Sequence, residues 1–470
     1  MNTINNKPAL PPETVGQLTE IVGREGIILS PGQRTAFCYD VEEEGSQIPD
    51  AIVFPSEIRQ MSAIVALAGR ERITVLPEGA GTRRSLPFSL GKAMVVSTSK
   101  MGRILDMDKE SLKVTLEAGT TLRMLRDVLD REGLYFPPYP WCFEKSTIGG
   151  CAADGIGGPA GYRHGVFKQY VLGMQVVLPS GEITRIGGQT VKNVVGYDLT
   201  SLFCGSEGSL GLIATLTLRL LPKPWAQRLL IMGFKSPTSA CAAMKETMDA
   251  GRGPERICLL DTWMARKMKS FSPSGIPRGQ DTTVLCQIAG LEEVVESETA
   301  AFLRLMKERD GAIIRVVQDP AETTKIWEAQ GFSLSSMNDD ALSLMTWDIT
   351  VPRSRAVAMM EKCEQTAQRH HVNLIHGGYY GNGIFHPVVL IPKQDETRRK
   401  NAQTAFTELV RFARSVGGNG AGPFRRLGIE MAKFETPDEP YMGQLVQKMK
   451  KALDPNGVMK PLPSSHPLDL

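Results

Sequence analysis

Glycine is unevenly placed in this chain. Of 46 glycines in 470 residues, six fall within the fifteen residues Thr147–Gly161. Each costs about 0.5–1 kcal/mol of backbone entropy relative to alanine, a cost that a chain accepts where a ligand presses on the main chain. The small residues Cys151, Ala152 and Ala153 between them argue for close packing rather than a slack loop. A second cluster, Pro77-Glu78-Gly79-Ala80-Gly81-Thr82-Arg83-Arg84-Ser85, follows the apolar run Ile73–Leu76. Taken alone it is either a surface turn or a loop that aims backbone N–H groups at an anion, with Arg83 and Arg84 adding charge. A third runs from Lys192-Asn193-Val194-Val195-Gly196-Tyr197-Asp198-Leu199 into Gly205-Ser206-Glu207-Gly208-Ser209-Leu210-Gly211-Leu212-Ile213.

Several readings are excluded. Gly155, Gly157 and Ala160 form a Gly-x-Gly-x-x-Ala match, but no apolar strand precedes it and Pro159 interrupts it, so it is no nicotinamide fingerprint. Gly91-Lys92 is followed by Ala93, which rules out a phosphate loop, and there is no His-Glu-x-x-His. Lys+Arg 54 against Asp+Glu 51 leaves +3, too even for a nucleic-acid binder. The eight cysteines include no Cys-x-x-Cys, so iron–sulfur chemistry would belong to a partner. The opening lacks a basic region followed by an apolar stretch, and no apolar run reaches the ~18 residues of a membrane span. The expectation is a chain in the cytoplasm, or peripheral on the inner membrane through a partner, with reduced cysteines.

Periodicity divides the chain into a helical lead-in (1–45), a first domain (46–224), a second (225–415) and a C-terminal segment (416–470). In the first, Ile52–Pro55 and Ile73–Leu76 read as strands flanking a helix capped by Ser56. Thr120 or Thr121 opens a helix carrying Leu122, Leu125 and Leu129. Residues 137–165 read as loop. Beyond Pro222 and Pro224, strand-like runs alternate with the helical runs Ser239–Ala250, Glu293–Arg309 and Arg353–His370, as in an α+β layer with helices on one face. A last helix, Glu439–Leu453, precedes the turn Asp454-Pro455-Asn456-Gly457.

Together the three glycine segments resemble the PCMH-type FAD-binding domain of the vanillyl-alcohol oxidase superfamily, in particular the glycolate oxidase FAD-linked subunit and D-lactate dehydrogenase family. Pro49-Asp50-Ala51-Ile52-Val53, Leu116-Glu117-Ala118-Gly119, Tyr170-Val171-Leu172-Gly173 and Pro352-Arg353-Ser354-Arg355 extend the likeness from 45 to 461. The resemblance implies an α+β fold: a two-subdomain FAD-binding domain, a ferredoxin-like α+β cap and a C-terminal segment returning to the FAD domain. It implies non-covalent FAD, with Gly79, Ala80, Gly81 and Thr82 on the pyrophosphate. Ser146, Thr147, Gly149, Gly150, Gly157 and Gly158 would line the flavin, and Gly165, Glu207, Gly208 and Ile213 would complete the pocket. His164 reads as a packed histidine rather than a flavin attachment point.

The same family oxidises 2-hydroxy acids with help from cap residues, and here the sequence departs. The Trp-x-x-Arg segment reads Trp327-Glu328-Ala329-Gln330, and the His-x-Gly-Asp-Gly-Asn-x-His metal segment reads Tyr379-Tyr380-Gly381-Asn382-Gly383-Ile384-Phe385-His386. His376 is a weak substitute for the missing histidine. The Gly-Glu-His-Gly segment has become Gly418-Asn419-Gly420-Ala421-Gly422-Pro423-Phe424-Arg425-Arg426. The expectation is that no divalent metal is held. Two explanations stand. Either an oxidoreductase acts on a small anionic hydroxy compound through Tyr379, Tyr380, His386 and Arg425, or Arg426, and passes electrons to a protein or quinone. Or the chain carries flavin for an iron–sulfur or electron-transfer flavoprotein partner. A non-enzymatic protein is the third and least economical reading.

Overall fold

The computed structural model describes residues 10–37, 48–82, 91–140, 143–261, 264–265, 281–335, 342–421 and 442–462. Arg83, Arg84, Arg425 and Arg426 lie outside the described residues, as do Cys38 and Cys142.

The first domain is built on two sheets. Ala51–Val53, Ala93–Ser97 and Thr74–Glu78 pair in parallel, with Ile27–Ile28 antiparallel at the edge. Being covered on both faces, these strands read as continuous apolar runs (Val53, Val75, Val95 and Val96 are fully buried) rather than alternating ones. The helix Ile58–Glu71 sets Met61, Ile64, Val65 and Ala68 against them. Its N-cap is Glu57 rather than Ser56, whose N–H and hydroxyl instead meet Gln60 Oε1 at 2.7 and 3.1 Å.

The second sheet is antiparallel, in the order Ile104–Asp108, Lys113–Glu117, Leu212–Arg219, Val171–Val177, Ile183–Gly187. Thr121 caps the helix Leu122–Arg131 by accepting from Met124 N–H at 3.1 Å. The glycine-rich stretch is not all loop: Thr147 caps a short helix, Ile148–Asp154, ended by Gly155 at φ +62°. Glycine-rich sequence hides that helix because glycine disfavours one, and packing overrides the preference.

The second domain carries an eight-stranded antiparallel sheet whose central strands are Ala226–Phe234, Thr282–Gly290, Arg256–Asp261 and Gly377–Tyr379, and whose edge strand Asn419–Ala421 comes from the segment beyond 415 that was expected to return to the first domain. Strand alternation sends its two faces to different cores. Leu230, Met232, Ile257, Leu259, Val284 and Cys286 meet the helices Pro237–Asp249, Glu292–Glu308, Ala356–His370 and Glu396–Ser415. Leu229, Ile231, Cys258, Leu260 and Leu285 join one continuous core with Leu116, Ile148 and Phe167 of the first domain. The sheet is therefore a cap pressed directly onto the glycine-bearing region. Near the C-terminus, Val75 N–H donates to Val458 O at 2.7 Å, tying this segment to the first sheet. No described helix is long and apolar enough to cross a membrane.

Candidate functional site

The three glycine segments converge. A Cβ on Gly79 would lie 2.1 Å from Thr147 Oγ1 and 3.6 Å from Gly150 Cα, so the first segment lies against the second. Gly205 and Glu207 donate to Ala152 O and Ala153 O at 3.0 and 2.8 Å, and a Cβ on Gly208 would meet Pro77 Cγ at 2.5 Å. The third segment thus touches both others. Its first half does not take part: Val194, Val195 and Tyr197 are 76, 87 and 93% exposed. From the C-terminal side, Lys460 Nζ reaches Glu207 Oε2 at 3.4 Å.

The glycines serve two different purposes. Gly149, Gly158, Gly165 and Gly208 are required by the chain's own packing, because a Cβ there would collide with Ala118 Cβ (2.5 Å), Tyr139 O (2.3 Å), Gln169 Oε1 (1.6 Å) and Pro77 Cγ. Gly149 N–H is also committed, donating to Ala118 O at 2.8 Å. Ligand contact is not needed to explain glycine at these four positions. Gly157 differs, since its Cβ would find only ordinary contacts at 3.6 Å. The turn Ala80–Thr82 differs too: these N–H groups donate to no described residue, and Gly81 holds φ +64°. A run of unspent backbone donors beside tightly abutting chain is a cradle that suits a diphosphate. Ser146 and Thr147 are buried at its edge, and Ile213 is buried in the second sheet.

The cap meets this region at the turn after the short helix. Ile257 N–H donates to Pro159 O at 3.0 Å, Asn382 Nδ2 to Gly158 O at 3.4 Å, and Ile384 Cδ1 would be 3.6 Å from a Cβ on Gly157. Tyr379 belongs to the core shared with the first domain and stands edge-on to His386, with ring centroids 5.7 Å apart. His386 Nδ1 lies 2.5 Å from Asp348 Oδ1, a partner that sequence reading missed because 38 residues separate the two. A carboxylate on Nδ1 makes Nε2 the basic ring position.

Tyr380 departs from expectation. It turns to the opposite face, packs in the helix-covered core at 4.3 Å from the Phe385 ring, and burial pushes its hydroxyl well above the usual tyrosine range. A proton relay through it is not what this placement supports. His376 is also buried, and burial pushes it down to about 4, so it is neutral. Among the described residues no three His, Cys, Asp or Glu side chains come together as a metal would need.

Beside the same turn lies a polar cluster that sequence reading did not anticipate. His164 Nε2 sits 2.8 Å from Glu255 Oε2, and Glu255 is 3% exposed. Burial raises the Glu255 carboxyl, but the hydrogen bond and charge of His164 and the Arg256 guanidinium outweigh it, leaving the group below its ordinary range. The stabilisation is present above the unfolded value near 4.3 and is lost as pH falls through the lower folded value. Acid denaturation should show this. Glu255→Gln is expected to flatten the fall in stability of the wild type below about pH 4, and parallel curves would contradict the assignment.

Comparison with known proteins agrees with this layout. Residues 49–187 match the FAD binding domain family, and residues 223–462 match the FAD linked oxidases, C-terminal domain. The glycolate oxidase subunit GlcD of Bacillus subtilis is 29% identical over 455 residues, covering 95% of both chains. A probable mitochondrial D-lactate dehydrogenase of Danio rerio is 26% identical, covering 97% of this chain and 92% of its own. Among solved structures, p-cresol methylhydroxylase with substrate bound superposes with TM-score 0.76 at 15% identity over 96% of this chain and 95% of its own, a likeness of fold. Glycine segments gathered into one donor-bearing cradle, a cap sheet closing on their turn, and family matches over both halves lead to one conclusion: the chain belongs to the FAD-linked oxidases, with a PCMH-type FAD-binding fold.

Proposed function

We propose that this chain oxidises a small anionic 2-hydroxy acid and passes the electrons to a protein or quinone acceptor. The observation that carries the reading is the Asp348–His386 pair, with Tyr379 edge-on to it, on the cap segment whose Asn382 and Ile384 touch the Gly157–Pro159 turn. FAD, when bound, would supply the hydride acceptor. Ala80, Gly81 and Thr82 would hold its diphosphate by backbone N–H, and Gly157 would leave room for the flat ring. His386 takes the hydroxyl proton at Nε2 and Asp348 fixes its tautomer, so that proton removal proceeds from a side chain. Tyr379 walls one side of the histidine.

Anaerobic addition of single 2-hydroxy acids to the purified yellow protein tests this. Bleaching of the flavin by one of them is expected, and a flavin that stays oxidised with all of them would sink the reading. A second reading has its own support: Val191, Val194, Val195 and Tyr197 form an apolar run at least 72% exposed, and the Bacillus relative is named as a subunit. In that reading the chain exchanges electrons with an iron–sulfur or flavoprotein partner, and bleaching occurs only once the partner is added.

A further inference from the structure

We infer that Arg256 is the carboxylate-binding residue of this site, at the centre of a monoanion pocket walled by Tyr135, Tyr139 and Trp327. This rests on the 2-hydroxy-acid reading and deepens it.

Strand parity comes first. Arg256 opens the strand on which Cys258 and Leu260 face the first domain, so its side chain falls on that face. There its guanidinium carbon lies 4.8 Å from the Tyr139 ring centroid, 5.7 Å from Tyr135 and 5.8 Å from Trp327, and Nη2 donates to Tyr135 Oη at 2.9 Å. The pocket adjoins the flavin-side turn: Tyr139 O abuts Gly158, and the next residue, Ile257, bonds Pro159 O.

What the pocket lacks identifies its ligand. Arg256 Nε, Tyr139 Oη and Trp327 Nε1 are all buried without a hydrogen-bond partner. Unpartnered buried donors are rare in folded proteins, and here one belongs to the cation and two stand beside it. The nearby carboxylates are engaged elsewhere, Glu255 by His164 at 2.8 Å and Glu328 by Arg126 at 2.5 Å. Among the described residues no carboxylate lies within ion-pair distance of Arg256. Glu255 feels the Arg256 charge but makes no ion pair with it, so the guanidinium keeps a buried donor that a bound anion would satisfy. A single carboxylate meets that need, since a guanidinium presents parallel N–H groups that match it.

This also accounts for the missing arginine in the Trp-x-x-Arg segment. Trp327 still forms a wall of the pocket, while Glu328 pairs with Arg126 and position 330 is glutamine. The cation is supplied from the neighbouring cap strand instead.

Oxamate, a monocarboxylate that cannot donate hydride, is the probe, its binding followed by the flavin spectrum and by intrinsic tryptophan fluorescence. Wild type is expected to bind it. Arg256→Met is expected to weaken binding by about thirty-fold or more with FAD retained, and Arg256→Lys to recover only part of the loss. Absence of oxamate binding in wild type, or equal affinity in Arg256→Met, would overturn the assignment. If Arg256→Met does not fold, Tyr139→Phe keeps the covering ring and deletes one donor: weaker binding supports the pocket and unchanged binding refutes it. Turnover separates the two ideas. A wild type that binds oxamate through Arg256 yet is reduced by no 2-hydroxy acid refutes the reaction and leaves the pocket standing.

Discussion

Replacing His386 by glutamine is expected to lower kcat by about 10²–10⁴-fold while leaving FAD bound, the usual contribution of a positioned general base. Glutamine preserves polarity and approximate volume, so the Tyr379 contact and the cap fold should survive. KM should change little, because the proposed carboxylate contact is made by Arg256 rather than by the histidine. Asp348→Asn acts through the histidine. Asp348 is 47% exposed and its 2.5 Å contact is with Nδ1, so its loss should cost less than removal of the ring itself. Steady-state kinetics of both variants against the same 2-hydroxy acid check the order. Wild-type rates in His386→Gln would remove the histidine from the mechanism.

Gly158→Ala is expected to be the more damaging of two neighbouring glycine substitutions. Its Cβ would stand 2.3 Å from Tyr139 O and 3.0 Å from Tyr139 C, both backbone atoms with no easy way to retreat. Overpacking of this kind costs about 1–3 kcal/mol. Here the displacement also moves Tyr139, a wall of the Arg256 pocket, and the turn that bonds Ile257 and Asn382. A lowered Tm together with weakened anion binding is the expected result. Gly157→Ala should melt close to wild type, since its Cβ meets only Ile384 and Val166 at 3.6 Å, but should bind FAD more weakly. Differential scanning calorimetry with flavin titration distinguishes the two. If both variants lost only stability, Gly157 would have no ligand-facing role.

The sequence made the nucleotide half of this protein readable because close backbone approach leaves a mark that one chain can show: glycine where side chains do not fit. Its physical cause was only half legible. Gly149 and Gly208 yield to chain-on-chain contact and the Ala80–Thr82 turn offers donors, a distinction that needs coordinates. Strand alternation around Leu229–Phe234 and Ile257–Leu260 located the cap strands, yet the helix Ile148–Asp154 was hidden by glycines that ordinarily break helices. The helices Pro320–Ser335 and Glu396–Ser415 were passed over as well. On the cap side, likeness to family motifs directed attention to Tyr379, Tyr380 and His386. It could not say that residues 379 and 380 face opposite cores. Asp348 and Arg256 were invisible for a simpler reason: each acts across a distance in sequence, 38 residues to His386 and 121 to Tyr135, that only the sheet closes.

Side chains of the cap, rather than a divalent ion, are proposed to receive the substrate's proton and hold its carboxylate. Anaerobic flavin bleaching by a reactive 2-hydroxy acid, before and after exhaustive chelation, tests this directly. The same bleaching rate is expected in both samples, with bleaching slowed about 10²–10⁴-fold in His386→Gln. Bleaching that disappears on chelation and returns with added manganese or zinc would contradict it.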